Sequence, residues 1–470
     1  MTDLIKNTAL PCVEDYRADL TAEEIAAATA ANARSIAMQA YLFAFPAFLH
    51  LRHLNDIVQG LRYMAPGQNP LGNWFLLRKL ADATNKTTVS PNVDTLYGAA
   101  YLLLDQQGPM VLRVPPIPGR YYSVALIDAY FNNFAIVSPR TFGNDGGDYL
   151  IVPPGYDGPV PDGIRAVLAS PTPIMNLFQR IFIHDESEYA ALYALQDAIR
   201  LIPLDQWSPA GGSPDDESID YPTADLSAYE AQGMSQTRDP LQFFAYTNFY
   251  TGVNPPPAAD AGLMALFDSV GLGPGSRLPD DPALRQAIAQ GAAEAQALMN
   301  AGITSGPFRD GWTVPDPLIG RAGPHSLSRA TCQLTAMGAF PKEEAMYFFA
   351  LRDAAGDRLD GARGYTLRFG PGQLPPLGQY GFWSLTLYDD RFLLHDNLLD
   401  RYALRPDSPD LVFAADGSLT LTIGAERPAG VPEGNWLPAP RGPFAVALRT
   451  YLPQPVIQDG TWFPPGLMAA

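Results

Sequence analysis

The sequence predicts an α+β protein: two antiparallel β-sandwich or jelly-roll-like modules, one a duplicate of the other, joined and flanked by helical segments. Three observations predict it. Helical and strand texture are segregated along the 470 residues rather than alternating, which disfavours a parallel α/β sheet. In the strand-rich stretches, short β-branched or aromatic runs are broken by Gly, Pro and Asn turns every ~8 to 12 residues, the spacing of sandwich strands. The two stretches also carry matching residues in the same order.

Residues 1–88 read as a helical segment. Thr21 caps it with Glu24 as the reciprocal partner, and "IAAATAANARSIAMQAYLFAF" supplies its body. Pro46 is expected to kink or end that helix before a second piece, "AFLHLRHLNDIVQGL". Residues 89–185 form the first β module. Residues 186–335 form a helical connection, with helices in "ESEYAALYALQDAIRLI", "DPLQFFAYTNFY", "AGLMALFDSV" and "DPALRQAIAQGAAEAQALMNA" and a loop in "SPAGGSPDDESIDYP". Residues 336–470 form the second β module, whose many prolines confine its strands to short lengths and edges.

The repeated plan shows when "PNVDTLYGAAYLLLDQQGP" is set over "PKEEAMYFFALRDAAGD". Asp94 falls on Glu344, Tyr97 on Tyr347 and Asp105 on Asp353. "YYSVALIDAYFNN" falls on "FWSLTLYDDRFLLHDN", placing Ser123 on Ser384 and Asp128 on Asp389, and later Arg180 falls on Arg449. These stretches resemble a bacterial two-module family, domains of unknown function 1254 (N-terminal) and 1214 (C-terminal). The first module's marks are "SPNVDTLYG", "GRYYSVALIDAYFNN" and "PRTFG"; the second's include "FWSLTLYD", "NWLPAP", "LRTYLP" and "DGTWFPP". The resemblance runs from about Ser35 onward. It implies two jelly-roll-like domains with flanking helices, and little chemistry.

Composition narrows the partners. A net charge of -18 repels phosphate backbones and anionic bilayers, so neither nucleic acid nor a membrane surface is expected. No run approaches the ~18 apolar residues of a membrane span. Cys12 and Cys332 make neither a disulfide framework nor a metal-ligand pair. Without a leader pattern the chain reads as cytoplasmic. A homo-oligomer is compatible with all of this.

The candidate site lies in the first module. Asp94, Arg120 and Tyr97 are the catalytic candidates, and Asn92, Tyr122, Asp128, Tyr130 and Asn132 the substrate-binding ones. Acids and amides at the mouth of an apolar strand, with aromatic walls nearby, have the make-up of a small-molecule pocket. Asp94 is the acid/base candidate, Arg120 the stabiliser of developing charge, and the tyrosines orient substrate. The competing reading makes Asn92 and Asp94 turn or strand-end ligands, as Asx side chains often are. The acids present in both modules, Asp94/Glu344 and Asp128/Asp389, lean toward that structural role. "HLRHLND" sets His50, His53 and Asp56 along one helical stripe, an awkward geometry for a metal, so none is expected. No nucleophile elbow, phosphate loop or dinucleotide fingerprint is present. The expected function is an enzyme for a small, fairly apolar organic substrate, hydrolase or lyase in type, with no cofactor. The alternative is a non-catalytic carbohydrate- or lipid-binding protein.

Overall fold

The computed structural model describes residues 19–59, 71–86, 89–209, 219–230, 234, 237–304 and 306–470. Cys12 and residues 210–218 of the Gly/Pro/Asp-rich loop lie outside them.

The strands of the first module are β1 (Phe75–Leu76), β2 (Thr95–Leu103), β3 (Met110–Val114), β4 (Tyr122–Asp128), β5 (Asn133–Val137), β6 (Gly147–Val152), β7 (Ile164–Ala169), β8 (Ile174–Phe182) and β9 (Arg200–Pro203). They form two sheets, ordered β1-β2-β8-β4-β5 and β7-β6-β3-β9. Pairing is antiparallel throughout except between β6 and β7. Strand alternation sends Leu96, Ala100 and Leu102 of β2 and Tyr122, Val124 and Leu126 of β4 inward, onto Met110, Leu112, Tyr149 and Ile151 of the other sheet. β1 and β9 lie beyond the 89–185 span. The "RLI" of β9, read as the end of a helix, instead completes the second sheet against β3.

The second module contributes β10 (Phe308–Arg309), β11 (Trp312–Thr313), β12 (Ala345–Ala350), β13 (Tyr365–Phe369), β14 (Trp383–Asp389), β15 (Ala403–Leu404), β16 (Leu419–Gly424), β17 (Trp436–Pro438), β18 (Phe444–Tyr451) and β19 (Met468–Ala469). Its sheets run β10-β11-β12-β18-β14-β15 and β17-β16-β13-β19. Strand for strand, β2-β8-β4-β5 corresponds to β12-β18-β14-β15, and β7-β6-β3-β9 to β17-β16-β13-β19. The one parallel pair of each module falls in the same place. Met346, Phe348, Leu385, Val446 and Leu448 meet Tyr365, Leu367, Leu419 and Leu421 in a separate core.

The outer faces of the β2-β8-β4-β5 and β12-β18-β14-β15 sheets then pack on each other. Tyr121, Ala125, Ile127 and Phe182 close against Ala345, Phe382 and Tyr451. This seam between the modules positions Asn92, Asp94, Tyr97 and Glu344.

Helices cover the rest of the first module's outer face. Helix α1 (Ala22–Val58) starts at the expected capping box: Glu24 N–H donates to Thr21 Oγ1 (3.2 Å) and Thr21 N–H to Glu24 Oε2 (2.8 Å). It does not end at Pro46. The helix runs through the proline unbroken, because that turn is buried against neighbouring helices and packing offsets the lost backbone bond. Where Pro282–Thr304 crosses α1, Gly291 is required. A Cβ there would stand 2.2 Å from the Arg34 carbonyl oxygen. The helix Ser326–Thr335 is an element the sequence reading did not pick out.

Candidate functional site

The eight candidate residues do not converge on one hollow. Asn92 and Asp94 precede β2 rather than alternate within it. Asn92 Oδ1 accepts the N–H groups of Asp94 (2.6 Å) and Thr95 (3.1 Å), an Asx turn, and its Nδ2 donates to Tyr451 Oη of the second module (2.6 Å). The turn swings the fully buried Asp94 across the seam, where Ser384 Oγ donates to its Oδ1 at 2.8 Å. Burial holds the Asp94 carboxyl above its ordinary pKa, against the opposing pull of Arg405 and Arg449.

The other candidates are spent elsewhere. Arg120 forms a two-pronged ion pair with Glu188 (2.9 and 3.1 Å) and donates to the Phe182 carbonyl (2.9 Å), tying two loops together. Tyr122 points into the first sandwich core and donates to the Gly143 carbonyl (2.8 Å). Tyr130 donates to the Asn254 carbonyl (2.7 Å) beneath the helices. Asp128 Oδ1 accepts from the N–H groups of Tyr130 (2.8 Å) and Asn132 (2.9 Å), and its Oδ2 from Asn132 Nδ2 (3.1 Å). Asp389 builds the same turn, accepting from the N–H groups of Arg391 and Leu393 (2.9 Å each). Phe131 and Phe392 match within these turns, both at φ 59°. Asp128 and Asp389 are therefore turn ligands in both modules.

Tyr97 is different. It stays half-buried, at the seam, beside the buried Arg180. Cross-strand register sets Tyr97, Arg180 and Ser123 side by side on β2, β8 and β4, and Tyr347, Arg449 and Ser384 side by side on β12, β18 and β14. Around the Arg180 guanidinium stand the rings of Phe340 (4.0 Å to centroid), Tyr97 (5.0 Å) and Phe178 (5.9 Å). Tyr347 acts on the same guanidinium through its field. Phe178 and Tyr347, like Tyr97, remain half-buried. Arg180, Phe178, Phe340 and Tyr347 were not candidates on sequence. The available signal was the one charged residue in the strand "IMNLFQRIF".

Glu344, the counterpart of Asp94, also crosses the seam, in the opposite direction. It is fully buried and accepts from Tyr121 Oη (3.0 Å), Ser138 Oγ (3.1 Å) and Arg140 Nε (2.8 Å). Desolvation raises its pKa, and Arg140 works against that rise. Above this pair the surface opens between the modules in a cleft of about 480 Å³, walled by Arg140, Asn144, Glu343, Tyr380 and Gln454 among others. None of the eight candidates lines it.

His50 is buried within the helical layer. Its Nδ1 lies 2.6 Å from Tyr250 Oη and its Nε2 3.1 Å from Asn176 Oδ1. With its Nε2 proton directed at the Asn176 oxygen, the neutral ring accepts the Tyr250 proton at Nδ1. Burial lowers its pKa to about 4. Among the described residues, no three His, Cys, Asp or Glu side chains are grouped to hold a metal ion, and no helix is long and apolar enough to cross a membrane.

Residues 72–203 match the family described as "Protein of unknown function (DUF1254)", and residues 344–455 that described as "Protein of unknown function (DUF1214)". Among solved structures, the VPA0106 protein from Vibrio parahaemolyticus is similar over 93% of this chain and 100% of its own, at 20% identity and a TM-score of 0.68. An uncharacterized protein from Burkholderia cenocepacia is similar over 91% of this chain and 93% of its own, at 13% identity and a TM-score of 0.41. The first likeness bears on the fold alone. No curated protein matches the chain.

Proposed function

The chain belongs to the two-module DUF1254–DUF1214 family, and from the geometry of its seam we propose that it binds a small, largely apolar organic molecule between the modules, against the outer face of the first sandwich. The observation that carries this reading is local. Tyr97, Phe178 and Tyr347 keep partial exposure, while their seam neighbours Asp94, Tyr121, Ser123, Ser384 and Tyr451 are closed off. Aromatic walls around a single charged group are typical of small-molecule sites. Of the two readings of the sequence, ligand binding is the better supported. Asp94 and Arg120, which would carry hydrolase or lyase chemistry, already have partners in the fold. We also read the two modules as copies of one ancestral sandwich; their common strand order and the matching Asp128 and Asp389 turns support this.

The test is titration of the full chain with neutral 1-aminoanthracene, followed by its fluorescence. One saturable site is expected, weakened about tenfold or more in Tyr97→Ala and unchanged in Tyr380→Ala, whose ring stands at the separate cleft. Unsaturable uptake, or equal loss in both variants, would refute the reading. Recovery of unaltered ligand after long incubation separates binding from turnover.

A further inference from the structure

Arg180 and Arg449 occupy equivalent positions and are held in different ways. Both are almost wholly buried, at 6% and 4% exposed. Arg449 donates to Thr386 Oγ1 (2.8 Å), Tyr388 Oη (2.5 Å) and the Ser90 carbonyl (3.1 Å), with the Asp94 carboxylate also acting on it. Arg180 makes one long bond to backbone, from Nη2 to the Gly338 carbonyl (3.3 Å), and a side-chain hydrogen bond with the neutral Tyr97 phenol, and its Nη1 has no hydrogen-bond partner. Its remaining neighbours are ring faces and phenols.

The missing element is an acid. Asp94 serves the Arg449 half of the seam. By the symmetry of the two modules Glu344 should serve Arg180, but it is bonded to Tyr121, Ser138 and Arg140 instead. A guanidinium does not lose its proton in a protein. Buried without an anion, it is costly even when aromatic faces soften the charge.

We infer that Arg180 anchors the carboxylate of a small organic monoacid, whose apolar and preferably aromatic body lies against Tyr97, Phe178 and Tyr347. This rests on the seam being the ligand site. A monoanion matches the charge of Arg180, because Arg449, the other guanidinium beside Tyr347, already has the Asp94 carboxylate acting on it. A phosphate would bring more charge and more acceptors than one guanidinium and two phenols can satisfy, into a protein of net charge -18. The planar donor fork suits a carboxylate.

The experiment is calorimetric titration of the full chain with benzoate, phenylacetate and hexanoate, set against benzamide, benzyl alcohol and inorganic phosphate. The acids are expected to bind at least about tenfold more tightly than the neutral analogues, with phosphate not binding. Arg180→Met should remove that preference. Ser123→Asp provides a second route should Arg180→Met fail to fold. It places an acid on the strand position beside Arg180 and is expected to raise the thermal midpoint while blocking the acids. If benzamide binds as well as benzoate, or Ser123→Asp binds acids unchanged, the carboxylate inference falls and the seam reading stands. If no acid or neutral compound binds, both fall.

Discussion

His50 makes a sharp test of how this fold handles a buried imidazole. In the unfolded chain a histidine takes a proton near pH 6.5. In the folded protein the ring is fully buried between Tyr250 and Asn176, and protonation waits until about pH 4. Between those values the unfolded state binds the extra proton, so stability falls as pH drops through the window and levels off below it. The gap corresponds to about 3 kcal/mol at its full extent. The buried carboxyls of Asp94, Asp128 and Glu344 work the other way. Their pKa values are raised in the folded state, so the native protein takes those protons first and gains stability as pH falls. A difference measurement cancels them. Wild type and His50→Gln would be unfolded in urea at several pH values from about 7 to about 4. Near neutral pH the variant should be less stable by about 1–3 kcal/mol, for its lost hydrogen bonds. As pH falls, that gap should shrink by about 3 kcal/mol, so that the curves meet or cross. A gap constant over the window would mean that His50 is not held neutral by burial, and the packing argument for α1 would be wrong.

Three further outcomes follow from the seam and the first core. Arg140→Ala leaves the buried Glu344 carboxylate without its ion pair and should lower stability by about 3 kcal/mol, the low end for a broken buried pair because Arg140 is one-third exposed; the loss should fade at acid pH as Glu344 protonates, read from urea midpoints. Gly98→Ala would set a Cβ 2.6–2.8 Å from the Gln179 side chain, itself fully buried, and should cost about 1–3 kcal/mol; adding Gln179→Ala should restore part of it in thermal melts. Asp94→Ala removes the acceptor of Ser384 and should cost about 1–3 kcal/mol, whereas Asp94→Asn keeps that acceptor and should cost less. An Asp94→Asn protein with an unchanged urea midpoint but no ligand binding would return Asp94 to the site.

What the sequence made legible was whatever depends on neighbours along the chain. The Thr21–Glu24 capping box follows from local spacing, and the structure has it. Pro46 misled because its rule concerns an isolated helix, whereas α1 is packed against other helices. The polar mouth of "SPNVDTLYG" was legible as unusual but not as to purpose. The hydroxyl that donates to Asp94 Oδ1 belongs to Ser384, 290 residues away across a seam that exists only once both sandwiches have formed.

The common strand order of the two modules allows a comparison of matching positions within one chain. Where both members of a pair do the same thing, as Asp128 and Asp389 do in their turns, the role is architectural, because both modules need it. The strand arginines invert this. Arg449 is satisfied from within the protein by Thr386, Tyr388 and Asp94, so the fold can complete that environment on its own. Arg180 occupies the same register position, and its acid counterpart is diverted to Arg140. A charge kept at a position the fold knows how to neutralise, yet left without the neutralising group, is better explained by an external partner than by packing. The position that departs from the shared plan is therefore where binding should be sought, and the acids written into both modules are not.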